Sequence, residues 1–408
     1  MSPPPVTVTA RDVARARETI GDVARHTPVV PSGTLGELTG ADVVFKAESL
    51  QRTGSFKVRG ALNKLAALGA AGRAGVVCGS AGNHAQALAF AARERGVPCE
   101  VFMPAEAPIA KLEGAAALGA TVRITGSSVE ECVAAARERA ASGGLSFVHP
   151  FDDAEVVAGQ GTLGLELLED VPDLACVIVP VGGGGLAAGV ALAVKAARPA
   201  VRVIGVQIAS CASYGPSLAA GRPCTVGSQA TIADGIAVKR PGELTLALVR
   251  DWVDEIVEVG EDETAEAMVL LLEQAKLVVE GGGAVGLAAL LGGQARPAAT
   301  GTTCVVLSGG NVDAGLLAVI ARRHETEVGR RLVLFTRVPD RPGALAALLV
   351  LLGETGANLV DVEHVREGVD LHVRETAVQL VLETRGREHA GRVKAAVAAA
   401  GYAASVVR

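Results

Sequence analysis

Lysine is scarce in this chain: eight lysines stand beside thirty arginines. An arginine stays protonated, whereas a lysine desolvated at a pocket wall can lose its proton and act as a nucleophilic amine. Lys57 follows the large apolar Phe56, just inside a predicted helix start capped by Ser55. Taken alone, it would equally suit a solvated helix lysine. A second group, Ser80, Ala81, Gly82, Asn83 and His84, follows a β-branched run and opens a helix. Free N–H groups at a helix N-terminus bind a carboxylate or phosphate, and small residues let the anion approach; an ordinary cap by Asn83 reads the same way. Third, Gly182, Gly183, Gly184 and Gly185 lie between a strand and a helix. Consecutive glycines are conformationally costly, and their use is a nest of N–H groups around a phosphate, reinforced by the helix dipole. Fourth, Ser308 sits at a strand end before Gly309 and Gly310. Its hydroxyl can bond a neutral ring nitrogen without protonating it, although a plain turn would look alike. Glu280, ahead of Gly281 to Gly283, could face a cofactor or cap the next helix.

A Schiff-base lysine, a carboxylate-binding loop, a phosphate nest and a ring-nitrogen partner are together the requirements of pyridoxal phosphate. Gly183, Gly185 and Ala188 also satisfy the G-x-G-x-x-A dinucleotide spacing. The next strand, however, ends at Gln207, where that motif wants an acidic residue for the ribose, so a nicotinamide site is disfavoured.

The elements that must position these groups alternate short β-branched runs with alanine-rich helical stretches, the pattern of α/β units with parallel strands. Strands are predicted over 43–46, 75–78, 99–103, 121–124, 175–180, 201–207 and 303–307, with helices over 55–68, 83–95, 109–118, 129–141, 159–168, 186–197, 262–277 and 284–291. The glycine-rich segments fall at the C-terminal ends of strands, where open α/β sheets bind ligands. The alternation stops at the charged segment 322–331. Beyond it, a strand over 332–337, a helix over 344–355, strands over 358–366 and 375–383, a helix over 386–400 and a strand over 403–407 make a small ferredoxin-like βαββαβ domain.

Length and composition agree with several domains: 408 residues at roughly 150 per domain. Fifty glycines, about 12% against a usual level of roughly 7%, are in part background in turns such as Gly69, Gly96 and Gly119. A net charge of −6 and ten aromatic residues argue against nucleic-acid and membrane binding. The seven cysteines are scattered singly, without metal-ligand spacing, as expected of a reduced cytoplasmic protein with no metal site. Leu174 to Val194 carries no charge and is long enough to span a bilayer, but Pro180 and the glycine run interrupt it, so a strand, a loop and a buried helix are expected there.

Five ordered motifs resemble the fold-type II pyridoxal-phosphate enzymes, in the branch of the threonine ammonia-lyases (threonine dehydratases) and serine racemases. They are ESLQRTGSFK from Glu48 to Lys57, SAGNH from Ser80 to His84, GGGGL from Gly182 to Leu186, TIADG from Thr231 to Gly235 and SGGNVD from Ser308 to Asp313. The resemblance implies a tryptophan synthase β-like fold of two open α/β subdomains over residues 1–324, the smaller one over about 50–155, then a linker over 325–331. It makes Lys57 the Schiff-base lysine and general base and gives Asn83 to the cofactor's 3′-oxygen. Gly182, Gly183, Gly184 and Gly185 take the phosphate, Ser308 the pyridine nitrogen, and Phe56 and Glu280 further cofactor contacts. Ser80, Ala81, Gly82, Asn83 and His84 hold the substrate carboxylate.

Residues 332–408 resemble an ACT domain through VPDRPGAL from Val338 to Leu345 and GANL from Gly356 to Leu359. That implies a regulatory amino-acid site near Asp340, Pro342, Gly343 and Asn358, with isoleucine, valine or AMP as effector. The resemblance also implies a homodimer or homotetramer that converts L-threonine, and L-serine more weakly, to a 2-oxo acid and ammonia. A serine racemase is the alternative. Racemases of this kind place a serine where Ala81 stands, to deliver a proton to the opposite face, and bind a divalent cation through acidic residues where Gln207 and Ser213 stand. Both departures favour elimination.

Overall fold

The computed structural model describes residues 7–80, 82–107, 109–367 and 371–407. Ala81 therefore lies outside the described residues. The strands are β1 (Val29–Pro31), β2 (Val43–Ala47), β3 (Val76–Gly79), β4 (Cys99–Met103), β5 (Thr121–Ile124), β6 (Ser146–Phe147), β7 (Leu174–Pro180), β8 (Arg202–Ile208), β9 (Glu255–Val259), β10 (Thr302–Leu307), β11 (Arg331–Pro339), β12 (Asn358–Val365), β13 (Glu375–Glu383) and β14 (Ser405–Val406). The chain divides into two compact units, Met1–Asp313 and Ala314–Arg408.

Within the first unit, a six-stranded sheet runs in the order β1-β2-β10-β7-β8-β9, parallel except for the β1–β2 pair. A four-stranded parallel sheet runs β5-β4-β3-β6. Each sheet has its own core. Val177, Val179 and Val306 pack beneath the helices Ala154–Asp170 and Gly185–Ala197, while Val76, Cys78 and Val101 pack against Leu62, Leu65 and Leu88. The near-continuous burial of β3, β7 and β10, all rich in β-branched residues, is what a parallel sheet covered on both faces requires.

The uncharged stretch from Leu174 to Val194 is β7, the glycine loop and a buried helix, and among the described residues no helix is long and apolar enough to cross a membrane. Two expected boundaries move. The helix expected from Gly159 begins at Ala154, because the Asp153 carboxylate caps it by accepting the N–H groups of Glu155 and Val156. Ser55 is not a helix cap. It forms an isolated antiparallel bridge with Gly309, and the helix starts at Lys57.

In the second unit, the helix Ala314–Glu327 leads into a four-stranded antiparallel sheet of order β12-β13-β11-β14. The helices Ala344–Glu354 and Arg387–Ala399 complete the succession β11, helix, β12, β13, helix, β14. The charged segment expected as a linker over 325–331 is thus helical over its first three residues, with Arg323 and Glu327 paired at 2.9 Å on that helix.

Candidate active site

The C-terminal ends of β2, β7 and β10 deliver their loops to one cavity. Its lining includes Phe56, Lys57, Asn83, all four of Gly182 to Gly185, Glu280 and Ser308. Groups far apart in the chain thus meet in one space. The cavity also takes in Phe151, Pro180, Leu186, Gly235 and Ile236, to which the sequence reading gave no role.

The Lys57 amine donates to the Pro150 carbonyl at 2.8 Å. Burial lowers its pKa to about 8, against the opposing field of Glu280. Glu280 is shifted the other way. Burial and the nearby Asp234 raise it to about 7, although Lys111, Lys57 and a 2.6 Å hydrogen bond from Asn83 Nδ2 favour its charged form. An amine and a carboxyl whose pKa values converge near neutrality are suited to exchanging protons with a ligand. Asn83 is held on both sides, since its Oδ1 accepts from Asn311 Nδ2 at 2.7 Å. Asn311 also donates to the carbonyl of Thr53, a non-glycine residue at φ 60°.

The glycine loop is tight on its protein side. A Cβ on Gly183 would lie 2.2 Å from Cγ of Phe151, and one on Gly184, at φ +90°, 1.8 Å from the Tyr214 hydroxyl. No N–H of Gly182, Gly183 or Gly184 donates to another group of the described residues. Such N–H groups, ahead of a helix whose N-cap offers no side chain, form a cradle for an anion. Ser308 is buried, with Oγ 3.4 Å from the Gly282 carbonyl.

Of the loop Ser80 to His84, only Asn83 lines the cavity among the described residues. Ser80 Oγ accepts the Gly82 N–H at 3.2 Å, and the helix from Asn83 has no side-chain cap. The His84 ring turns inward, Nε2 donating to the Val148 carbonyl at 3.2 Å, and burial together with Lys57 lowers its pKa to about 3. It is therefore neutral and outside the cavity. Gln207 and Ser213 are also buried and hydrogen-bonded within the protein: Gln207 to Val181 and Tyr214, Ser213 to Val238. No group of three or more His, Cys, Asp or Glu suited to a metal occurs among the described residues.

In the second unit, Asp340, Pro342 and Gly343 lie in the turn after β11, where Asp340 makes a two-point ion pair with Arg366 at 3.0 and 3.2 Å. Asn358 opens the edge strand β12 and donates to Glu383 at 2.9 Å.

A family model for pyridoxal-phosphate dependent enzymes matches residues 20–309. The L-threonine ammonia-lyase of Thermotoga maritima is 44% identical over 401 residues, covering 98% of this chain and 100% of that protein. Among solved structures, the processed form of threonine deaminase isoform 2 from Solanum lycopersicum is similar with a TM-score of 0.71 and 32% identity, over 78% of this chain and 94% of its own. The serine racemase of maize is similar with a TM-score of 0.74 and 35% identity, over 79% of this chain and 99% of its own.

Proposed function

The chain belongs to the pyridoxal-phosphate dependent enzyme family, and from that premise we propose that it removes water from L-threonine and releases 2-oxobutanoate and ammonia. The observation that carries the reading is the single cavity in which Lys57, Asn83, Glu280, Ser308 and the glycine loop meet. A likeness to a threonine ammonia-lyase over nearly the whole chain supports it.

The residues present fit the cofactor. Gly182 to Gly185 offer a cradle of N–H groups for its phosphate, those of Gly182, Gly183 and Gly184 unpartnered among the described residues, while Lys57 offers an amine for its aldehyde, Ser308 a hydroxyl for its ring nitrogen and Asn83 an amide for its ring oxygen, with Phe56 and Glu280 beside them. When bound, pyridoxal phosphate supplies an electron sink for the charge left on Cα. The chain does the rest. The uncapped helix start at Asn83, in the loop Ser80 to His84, receives the substrate carboxylate and so fixes the Cα–H bond. Lys57 Nζ, with a pKa brought down to about 8, takes the Cα proton and holds it as an ammonium against the Pro150 carbonyl. The hydroxyl departs from Cβ as water with the proton that the Lys57 ammonium gives back, the enamine left behind tautomerises to an imine, and a water added at its C=N bond releases ammonia. Serine lacks only one methyl group, worth about 1–3 kcal/mol, so it reacts more weakly but is not excluded.

The second unit is read as an ACT domain that binds isoleucine, valine or AMP near Asp340, Pro342, Gly343 and Asn358 and regulates a cytoplasmic homodimer or homotetramer. Its element succession and the motifs around Val338 and Gly356 support that reading. Incubation of the purified protein with L-threonine should yield 2-oxobutanoate. No keto acid from either threonine or serine would refute the proposal, and fast formation of D-serine from L-serine would favour a racemase instead.

A further inference from the structure

Two buried side chains outside the cavity hold the backbone of the glycine loop. Tyr214 is fully buried and Gln207 is 1% exposed. A phenol and an amide removed from water are costly unless their polar atoms are bonded, so what they bond is informative. The Tyr214 hydroxyl donates to the Gly183 carbonyl at 3.1 Å. Gln207 Nε2 donates to the Val181 carbonyl at 3.4 Å, and Gln207 Oε1 accepts the Tyr214 N–H at 2.9 Å. The two side chains thus form one strut along the loop.

A planar trans peptide points its carbonyl and the following N–H in opposite directions. Fixing the Val181 carbonyl therefore fixes the N–H of Gly182, and fixing the Gly183 carbonyl fixes the N–H of Gly184. Both N–H groups are aimed away from the strut. Gly182 and Gly184 line the cavity while Gln207 and Tyr214 do not, so the direction away from the strut is the cavity side. The Tyr214 hydroxyl also occupies the space where a side chain at residue 184 would begin.

We propose that Gln207 and Tyr214 are positioning residues for the cofactor's phosphate: they orient the Gly182 and Gly184 N–H groups before the phosphate arrives. The proposal rests on the pyridoxal-phosphate reading of the cavity and adds to it the pair that preorganises the cradle. The strut touches the loop and not the lysine, so its effect is confined to the phosphate end of the ligand.

The test compares pyridoxal phosphate with pyridoxal, which lacks the phosphate, in equilibrium binding to the cofactor-free full-length protein. One oriented hydrogen bond corresponds to roughly a three- to tenfold change in affinity. Tyr214→Phe should weaken pyridoxal phosphate by about that factor and leave pyridoxal within about twofold. Gln207→Met should do the same, and it carries the comparison should Tyr214→Phe fail to fold as judged by circular dichroism. Unchanged affinity for pyridoxal phosphate in a folded variant, or an equal loss for both ligands, overturns the proposal. A wild-type protein that binds neither ligand instead overturns the cofactor reading itself.

Discussion

Replacing Lys57 with methionine should abolish turnover and, in the cofactor-free protein, stabilise the fold. Methionine keeps an unbranched stem and removes the ammonium. Burial lowers the Lys57 pKa from 10.5 to about 8, net of the field of Glu280. The sign follows from linkage: between about pH 8 and pH 10.5 the unfolded chain binds more protons than the folded one, so wild-type stability rises with pH across that window. Below about pH 8 the cost of burying the ammonium is fully present. A gap of about 2.5 pH units is about 3 kcal/mol. The lost hydrogen bond to Pro150 offsets about 1 kcal/mol of that, leaving a gain of about 2 kcal/mol for Lys57→Met near neutral pH. The assay is built into the chain. Trp252 is the single tryptophan and lies in the unit Met1–Asp313, so its fluorescence during urea unfolding reports on that unit alone. The stabilisation should shrink as pH rises from about 7 to about 10. A gain independent of pH, or a loss at every pH, would show that the amine is not held at a desolvation cost.

Glu280→Gln should move the Lys57 titration further below about 8, because the carboxylate's field is what opposes the burial shift. In pH profiles of kcat for threonine, which report the substrate complex in which the Lys57 amine is free, the inflection near 7 should disappear and the Lys57 inflection move to the acid side; an unchanged profile would remove Glu280 from the proton balance. Arg59 bonds Glu48 at 2.8 and 2.9 Å and Glu166 at 2.6 and 3.0 Å, all three residues being buried. Arg59→Met leaves Glu48 without a cation and should cost about 3–5 kcal/mol by the same fluorescence measurement, while a loss under about 1 kcal/mol would contradict the reading of a coupled buried pair.

The glycine run and Ser308 were legible because each follows a strand end, and Lys57 because lysine is scarce here and it opens a predicted helix; all of these are local signals. Phe151, Gln207 and Tyr214 were not. Their roles depend on which carbonyl or which glycine they meet across the fold, and nothing in their own neighbourhood in the chain encodes that. His84 belongs to a loop that the sequence reads as an anion site through its backbone N–H groups; because successive helix residues point in different directions, its ring turns to Val148 and does not line the cavity. The predicted helix starts at Gly159 and already contains Gly159, Gly161 and Gly164, but what those glycines do inside it is set by the neighbouring helices. They are contact points.

Those contact glycines connect the composition to the site. A Cβ on Gly159 would lie 2.6 Å from Cα of Gly60, and one on Gly189 2.7 Å from the amide nitrogen of Gly161. The first pair joins the helix that begins at Lys57 to the helix Ala154–Asp170, and the second joins that same helix to the one that follows the glycine loop. The separation of the catalytic amine from the phosphate cradle is therefore set by two backbone-to-backbone contacts that no larger residue permits. Dispersion falls away within about an ångström of the optimal distance, so close-packed helices hold that spacing more firmly than exposed loops would. The glycine excess thus does two jobs. Gly182 to Gly185 form the cradle, and Gly60, Gly159, Gly161 and Gly189 keep it at reach of Lys57.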